Sequence, residues 1–367
     1  MSTNPKSDIK KNYFMRLALL QAYKTLGNTK TNPAVGCVIV KDNCLISAGS
    51  TSLNGRPHAE FNAINDSFKK TKDSDLYVTL EPCSNFGKTP PCVNLIYKKK
   101  IKRVYFSITD PDLRSKNKSF NNLISHGISV KKNILKKSIK NFYRSYYKYK
   151  NKKLPFVTCK LAVSKDFFTK SRKKKWITNK YCRGRVHLMR SQHDCLLTTS
   201  KTIKDDDPKL TCRINGLKKT TPARVILDNK LIISTNSRVI KDASNYQTII
   251  FYNKVNKKKI KLLKKLKVKT YHVPLDAKND LDLLYSLTKI KELGFSRIFL
   301  ESGIKLIMEF SKKNLIDDFK LFVSNNYLKK YGKLSIKKYF KLLTKSRIGE
   351  IEKVNLFGEK LLSYKLK

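Results

Sequence analysis

Apolar residues recur at Phe14, Leu17, Ala18, Leu20 and Ala22, a spacing that lays one stripe along a helix over 12–26, which Gly27 ends. After Asn32-Pro33 the pattern turns strand-like. It predicts a strand over 35–41, a turn at Asp42-Asn43 and a second strand over 45–47. A helix is expected to open at His58 and Glu60 and run to Phe68, followed by a buried strand over 76–80 that ends in Glu81-Pro82-Cys83. Cys92 then opens a short helix over 93–97. A strand over 104–108, a helix over 120–126 and a strand over 128–131 continue the alternation.

The run over 143–153 breaks this rhythm with tyrosines and lysines before Pro155, and it reads as a linker or helix end with partly packed tyrosines. The chain of 367 residues exceeds one ordinary core, so two domains are expected, 1–147 and 148–367. In the second, strands are expected over 156–163, 195–199, 224–227, 248–252 and 297–301, and helices over 179–190, 281–293 and 304–314. Strands alternating with helices predict an α/β domain with a largely parallel sheet.

Charge changes this picture little. The net charge of +53 is carried mostly by lysines spread over nearly every expected surface, alongside abundant Asn and Ile. That bias reads as compositional drift rather than a selected nucleic-acid surface, so no specific nucleic acid is expected as a partner. It still predicts sequence-independent, salt-sensitive attraction to polyanions. No stretch approaches the roughly 18 uninterrupted apolar residues of a membrane helix, and residues 1–11 lack a signal-peptide core; a cytoplasmic protein with no membrane partner is expected. The eight cysteines are scattered, and most sit in apolar runs as reduced core residues.

Two cysteines differ. Pro82-Cys83 and Pro91-Cys92, with His58-Ala59-Glu60, supply three metal ligands and one free carboxylate. Three protein ligands, His58, Cys83 and Cys92, leave a tetrahedral zinc one open position for a water that loses a proton near neutral pH; a structural zinc would take four. Glu60, two residues from His58, is placed to shuttle that proton rather than to bind the metal, as in zinc deaminases. The cysteine spacing differs from that of nucleic-acid deaminases, in which two residues intervene.

The loop from Ser84 to Pro91, together with Asn32-Pro33-Ala34-Val35-Gly36 and Gly55-Arg56-Pro57-His58-Ala59-Glu60, resembles the bifunctional riboflavin-biosynthesis deaminase/reductase family, from about Met15 to about residue 325. The resemblance implies an N-terminal cytidine-deaminase-like α/β/α sandwich and a C-terminal dihydrofolate-reductase-like α/β domain. It implies zinc-dependent deamination of a phosphorylated diaminopyrimidine ribosylamine, then NADPH-dependent reduction of the ribosyl chain to ribityl. Asn32 would hold the pyrimidine edge and Lys88 would face the substrate. The family often has His after the Cys-Ser pair; this chain has Asn85 and Phe86.

In the second domain the resemblance rests on Thr202 to Arg213, Trp176-Ile177-Thr178 and Glu301-Ser302-Gly303. It implies that Ala162, Trp176, Thr202, Asp206 and Gly303 lie along NADPH. It implies that Arg190, Leu210, Arg213 and Glu301 contact the phosphorylated sugar, and that the protein is a homo-oligomer joined through this domain. Two segments depart from the family. Phe167 stands where a Ser-x-Asp-Gly turn has glycine, which imposes strain if the turn needs positive φ. Lys173-Lys174-Lys175 replaces a Gly/Ser-rich stretch before Trp176. The alternative expectation is a deaminase whose C-terminal domain has become structural only.

Overall fold

The computed structural model describes residues 5–68, 70–152 and 154–367. The chain divides into two compact units, Met1–Lys153 and Leu154–Lys367. The expected boundary at 147/148 falls inside a helix, Arg144–Asn151, because the tyrosine run belongs to the first core. Tyr143 is buried and its hydroxyl meets Thr79 Oγ1 at 2.7 Å and donates to the Ala34 carbonyl at 3.0 Å. Tyr146 and Tyr147 donate to Asp110 Oδ1 and the Thr109 carbonyl. The run is thus the helix end with packed tyrosines, not a linker, and these side chains anchor it to the first core.

In the first unit the elements run α1 (Pro5–Thr25), β1 (Gly36–Lys41), β2 (Cys44–Ser50), α2 (Ala59–Asn65), β3 (Asp75–Leu80), α3 (Cys92–Lys98), β4 (Arg103–Ile108), α4 (Lys118–Ser125), β5 (Ser129–Lys131), α5 (Lys136–Phe142) and α6 (Arg144–Asn151). The sheet order is β2-β1-β3-β4-β5, antiparallel across β2-β1-β3 and parallel across β3-β4-β5. Each of β1, β3 and β4 is buried over all but one residue, which requires cover on both faces.

Two glycines set the site-bearing segment. A Cβ at Gly49 in β2 would lie 2.4 Å from the Ala59 carbonyl oxygen and 2.4 Å from Ala63 N, so only glycine lets the backbone of α2 seat this closely. Gly55 has φ +94, and its Cβ would meet Asn32 Nδ2 at 2.5 Å. Replacing Gly49 by Ala lowers the unfolding free energy by about 1–3 kcal/mol. Denaturant titration checks this, and an unchanged midpoint would show that the helix has room to retreat.

The second unit runs β6 (Phe156–Val163), β7 (Phe168–Ser171), α7 (Lys180–Ser191), β8 (Cys195–Thr199), α8 (Ser200–Asp206), β9 (Ala223–Leu227), α9 (Arg238–Lys241), β10 (Thr248–Tyr252), α10 (Lys257–Lys265) and β11 (Lys269–His272). It continues with α11 (Leu283–Glu292), β12 (Arg297–Leu300), α12 (Ile304–Lys312), β13 (Asp318–Val323), β14 (Gly332–Ser335), α13 (Phe340–Thr344), β15 (Glu350–Ile351) and β16 (Lys360–Lys365). Nine strands form one sheet in the order β11-β10-β9-β8-β12-β6-β13-β16-β15, parallel as far as β13 and antiparallel across β13-β16-β15. This is the largely parallel sheet expected, extended by a C-terminal hairpin the hydrophobic pattern does not reveal.

Phe167 adopts φ +66, as a glycine turn would. Its ring packs edge-to-face on Phe340 at 5.1 Å, so a contact from the C-terminal region offsets part of the backbone strain, about 1–2 kcal/mol. Asp166 accepts from the backbone N–H groups of Leu328 and Lys329, tying the same turn to that region. Among the described residues no helix is long and apolar enough to cross a membrane. All eight cysteines are free.

Candidate functional site

His58 is the N-cap residue of α2, Cys83 follows the carboxyl end of β3, and Cys92 is the first residue of α3. Three segments distant in sequence therefore converge outside the end of a strand paired in parallel with β4. The ligand atoms of these three residues lie within 4.8 Å of one another. His58 Nδ1 is 3.4 Å from Cys92 Sγ and 3.5 Å from Cys83 Sγ. A tetrahedral zinc with Zn–N of about 2.0 Å and Zn–S of about 2.3 Å sets N···S edges near ~3.5 Å, so the donor set fits that ion.

Electrostatics favour the same use. The Cys92 thiol hydrogen-bonds Cys83, and the Cys92 backbone N–H donates to Cys83 Sγ at 3.3 Å; together they draw the Cys83 thiol far below its ordinary range. Glu60 in the first turn of α2 is only 4% exposed. Burial pushes its carboxyl up to about 7, against the opposing pull of His58. A carboxyl that both holds and releases a proton near neutrality suits general acid–base work.

Asn32 donates from Nδ2 to the Gly55 carbonyl at 2.9 Å, which fixes its amide against the segment carrying His58. Lys88 is exposed in the cysteine loop. Arg56, absent from the expected residues, donates to Thr89 Oγ1 at 2.6 Å and so pins that loop beside His58, whose Nε2 lies 3.2 Å from the same Nη1. Asn85 donates to Ser115 Oγ at 3.1 Å.

In the second unit Thr199 ends β8, and Ser302 and Gly303 follow β12, its parallel neighbour. The hydroxyls of Thr199, Thr202 and Ser302 cluster at 3.1–3.5 Å. Gly303 caps α12, and a Cβ there would meet nothing within 4 Å, so the approach to the first turn of the helix is open. Carboxyl ends of adjacent parallel strands, with a helix start between them, are where α/β sheets bind cofactors. Trp176 is 57% exposed beneath the Arg183 guanidinium, 5.0 Å from its ring. Asp206 is exposed at the end of α8, and Ala162 is half-buried in β6.

Arg190 and Glu301 are not both open to a sugar phosphate, because they hold each other. Arg190 Nε and Nη2 donate to Glu301 Oε1 and Oε2 at 2.6 and 3.0 Å, and Nη1 donates to the Thr211 carbonyl at 3.0 Å. Burial would raise the Glu301 carboxyl, but Arg190 more than offsets it and keeps Glu301 ionised. Leu210, with φ +54, is buried and packs its side chain in the core. Arg213 is exposed.

Sequence reasoning passed over Lys160, Thr199 and His187. Lys160 lies on β6, and burial pushes its ammonium below the usual lysine range, with Glu301 opposing. A lone charge inside the apolar run of β6 was the available signal. His187 sits three residues before Arg190, on the same side of α7.

The family described as the cytidine and deoxycytidylate deaminase zinc-binding region matches residues 8–108, and the RibD C-terminal domain matches residues 155–328. The riboflavin biosynthesis protein RibD of Aquifex aeolicus is 34% identical over 319 residues, 86% of this chain and 87% of that one. A Thermotoga maritima structure described as a diaminohydroxyphosphoribosylaminopyrimidine deaminase and phosphoribosylaminouracil reductase superposes with TM-score 0.82 at 30% identity, covering 98% of this chain and 99% of the other. Acinetobacter baumannii RibD superposes with TM-score 0.81 at 25% identity over the same shares.

Proposed function

From the premise that the chain belongs to the RibD family of riboflavin-biosynthesis proteins, in which a deaminase is joined to a reductase, we propose how its own residues divide the two reactions. His58 Nδ1, Cys83 Sγ and Cys92 Sγ hold zinc. When bound, that ion supplies Lewis acidity and makes water acidic near neutral pH. Asn32 orients the pyrimidine edge and Lys88 faces the phosphorylated substrate. In the hydrolysis, water adds to the amine-bearing ring carbon, the C–N bond breaks and ammonia leaves. Glu60 carries the first proton given up by water to the ring nitrogen and the second, from the added hydroxyl, to the departing amine.

The aminouracil product is the substrate of the second unit. NADPH supplies hydride there, and the protein's part is positioning. Thr202, Ser302 and Gly303 line the cofactor's approach, with Ala162, Trp176 and Asp206 along its length. Glu301, oriented by Arg190, faces the sugar, and Lys160 beside it can give up the proton that accompanies hydride because burial weakens its hold. Arg213 takes the phosphate. Retention of the full parallel sheet, the hydroxyl cluster and the Arg190–Glu301 pair favours a working reductase over a structural remnant. A cytoplasmic homo-oligomer joined through this unit belongs to the same reading.

The observation that carries the proposal is the convergence of one imidazole and two thiols beside a buried unligated carboxylate. Full-length protein supplied with the diaminopyrimidine ribosylamine phosphate is expected to release one ammonia per substrate and then oxidise one NADPH. Ammonia release with no NADPH consumption would overturn the reductase half, and no ammonia release would overturn the deaminase half.

A further inference from the structure

The Thr211–Arg213 segment gathers more cationic capacity than the Arg190–Glu301 pair uses. His187 Nδ1 lies 3.0 Å from the Thr211 carbonyl, which can only accept, so Nδ1 carries the proton of that contact. The Arg213 backbone N–H lies 3.3 Å from the same nitrogen, a longer approach that the protonated Nδ1 cannot accept. The ring is thereby fixed by one edge. Among the described residues its Nε2 has no protein partner, and His187 is only half-buried. The exposed Arg213 side chain likewise has no carboxylate or carbonyl partner among the described residues. An unpartnered imidazole nitrogen next to a guanidinium whose electrostatic effect reaches it, with the ring anchored on the Thr211 carbonyl of the same loop, has the geometry to bind a tetrahedral dianion.

We propose that His187 is a second phosphate ligand of the reductase, acting with Arg213, and that it takes up a proton when the phosphorylated sugar binds. The inference rests on the reading of Arg213 as a phosphate contact. The groups facing His187 are Arg190 on its own helix, Arg213 and the Thr211 carbonyl from the following loop, and Glu301 from the end of β12. Burial, then Arg190 and Arg213, push the imidazole down to about 4, so the free enzyme holds it neutral near pH 7. A neutral ring with its proton on Nδ1 presents a lone pair from Nε2, which repels phosphate oxygens. A protonated ring presents an N–H donor. The dianion supplies the opposing charge that makes protonation favourable, and binding and proton uptake become one event.

The sign follows from the shift. The complex holds the imidazole proton more tightly than the free enzyme, so affinity gained from His187 is full below the free-enzyme value, about 4, and is lost as pH rises through the value in the complex. The substrate phosphate's own second ionisation, near pH ~6, is common to every variant and cancels in their comparison.

The test is the KM for the deaminated substrate as a function of pH in the full-length protein and in H187Q, H187L and R213A, with calorimetry of substrate binding in buffers of different ionisation enthalpy. The expected KM near pH 6.5 is about 10- to 100-fold higher in H187L. H187Q, which offers a neutral N–H, keeps part of the affinity but loses the excess pH dependence and the proton uptake. Equal pH dependence and proton uptake in parent and H187Q, with R213A raising KM, would overturn the role of His187 alone. An unchanged KM in R213A would overturn the Arg213 reading on which it rests.

Discussion

Glu60→Gln leaves one zinc bound per chain and lowers the rate of ammonia release by about 10²–10⁴-fold. The amide matches the carboxylate in shape and can still hydrogen-bond, so the fold of α2 and the three ligands are undisturbed. What it cannot do is take a proton from water and pass it on. The position is buried and lies in the first turn of the helix that His58 caps, so no solvent base can substitute. Metal content by elemental analysis and ammonia release measured on one preparation separate the two roles. Retained activity with retained zinc would remove Glu60 from the proton path, and lost zinc would recast it as a ligand.

The second large effect concerns the pair that joins α7 to the end of β12. Arg190→Ala leaves the Glu301 carboxylate buried without its guanidinium and strips one donor from the Thr211 carbonyl, so the reductase unit loses about 3–5 kcal/mol of stability. Replacing both residues, Arg190→Met with Glu301→Leu, removes the uncompensated charge and restores most of that stability. On the role proposed for Glu301 as the sugar contact, NADPH oxidation is expected to be absent in the double variant even though its stability returns. Trp176, the only tryptophan of the chain, lies in this unit and reports its unfolding by fluorescence. Equal stability in parent and Arg190→Ala would show that water reaches the pair and screens it.

What the sequence reveals follows from how local each feature is. Strands 156–163, 195–199 and 248–252 are read to the residue because they are continuous apolar runs buried in a parallel sheet. The edge hairpin is hidden because β15 spans only two residues, exposed Glu350 and Ile351, and its partner β16 offers a short apolar run between lysines. On β13 the Lys320 ammonium donates to Glu352 and Ser363, and neither partner is visible from 318–323 alone. The tyrosine run over 143–153 could be read only as a linker or a helix end with packed tyrosines, because the partners that make it the latter, Thr79, Ala34, Thr109 and Asp110, are distant in sequence.

The same distinction divides the sites. The metal trio was legible because proline-flanked cysteines and His-x-Glu carry their chemistry in short motifs. Arg190 was read as a contact of the phosphorylated sugar, and the carboxylate it holds in the structure, 111 residues away, gave no local signal. Leu210 was read as a ligand contact without any sign that its side chain belongs to the core. Phe167 is the converse case: the sequence left open whether its turn needs positive φ, and the structure shows that it does and supplies an aromatic neighbour for the ring.

X-ray absorption at the zinc edge of the purified full-length protein bears most directly on the claim from which the deaminase assignment descends. It should find two sulfurs at about 2.3 Å, one imidazole nitrogen at about 2.0 Å and one light atom that does not come from the protein. A fourth protein donor, or a stoichiometric metal bound without both sulfurs, would contradict it.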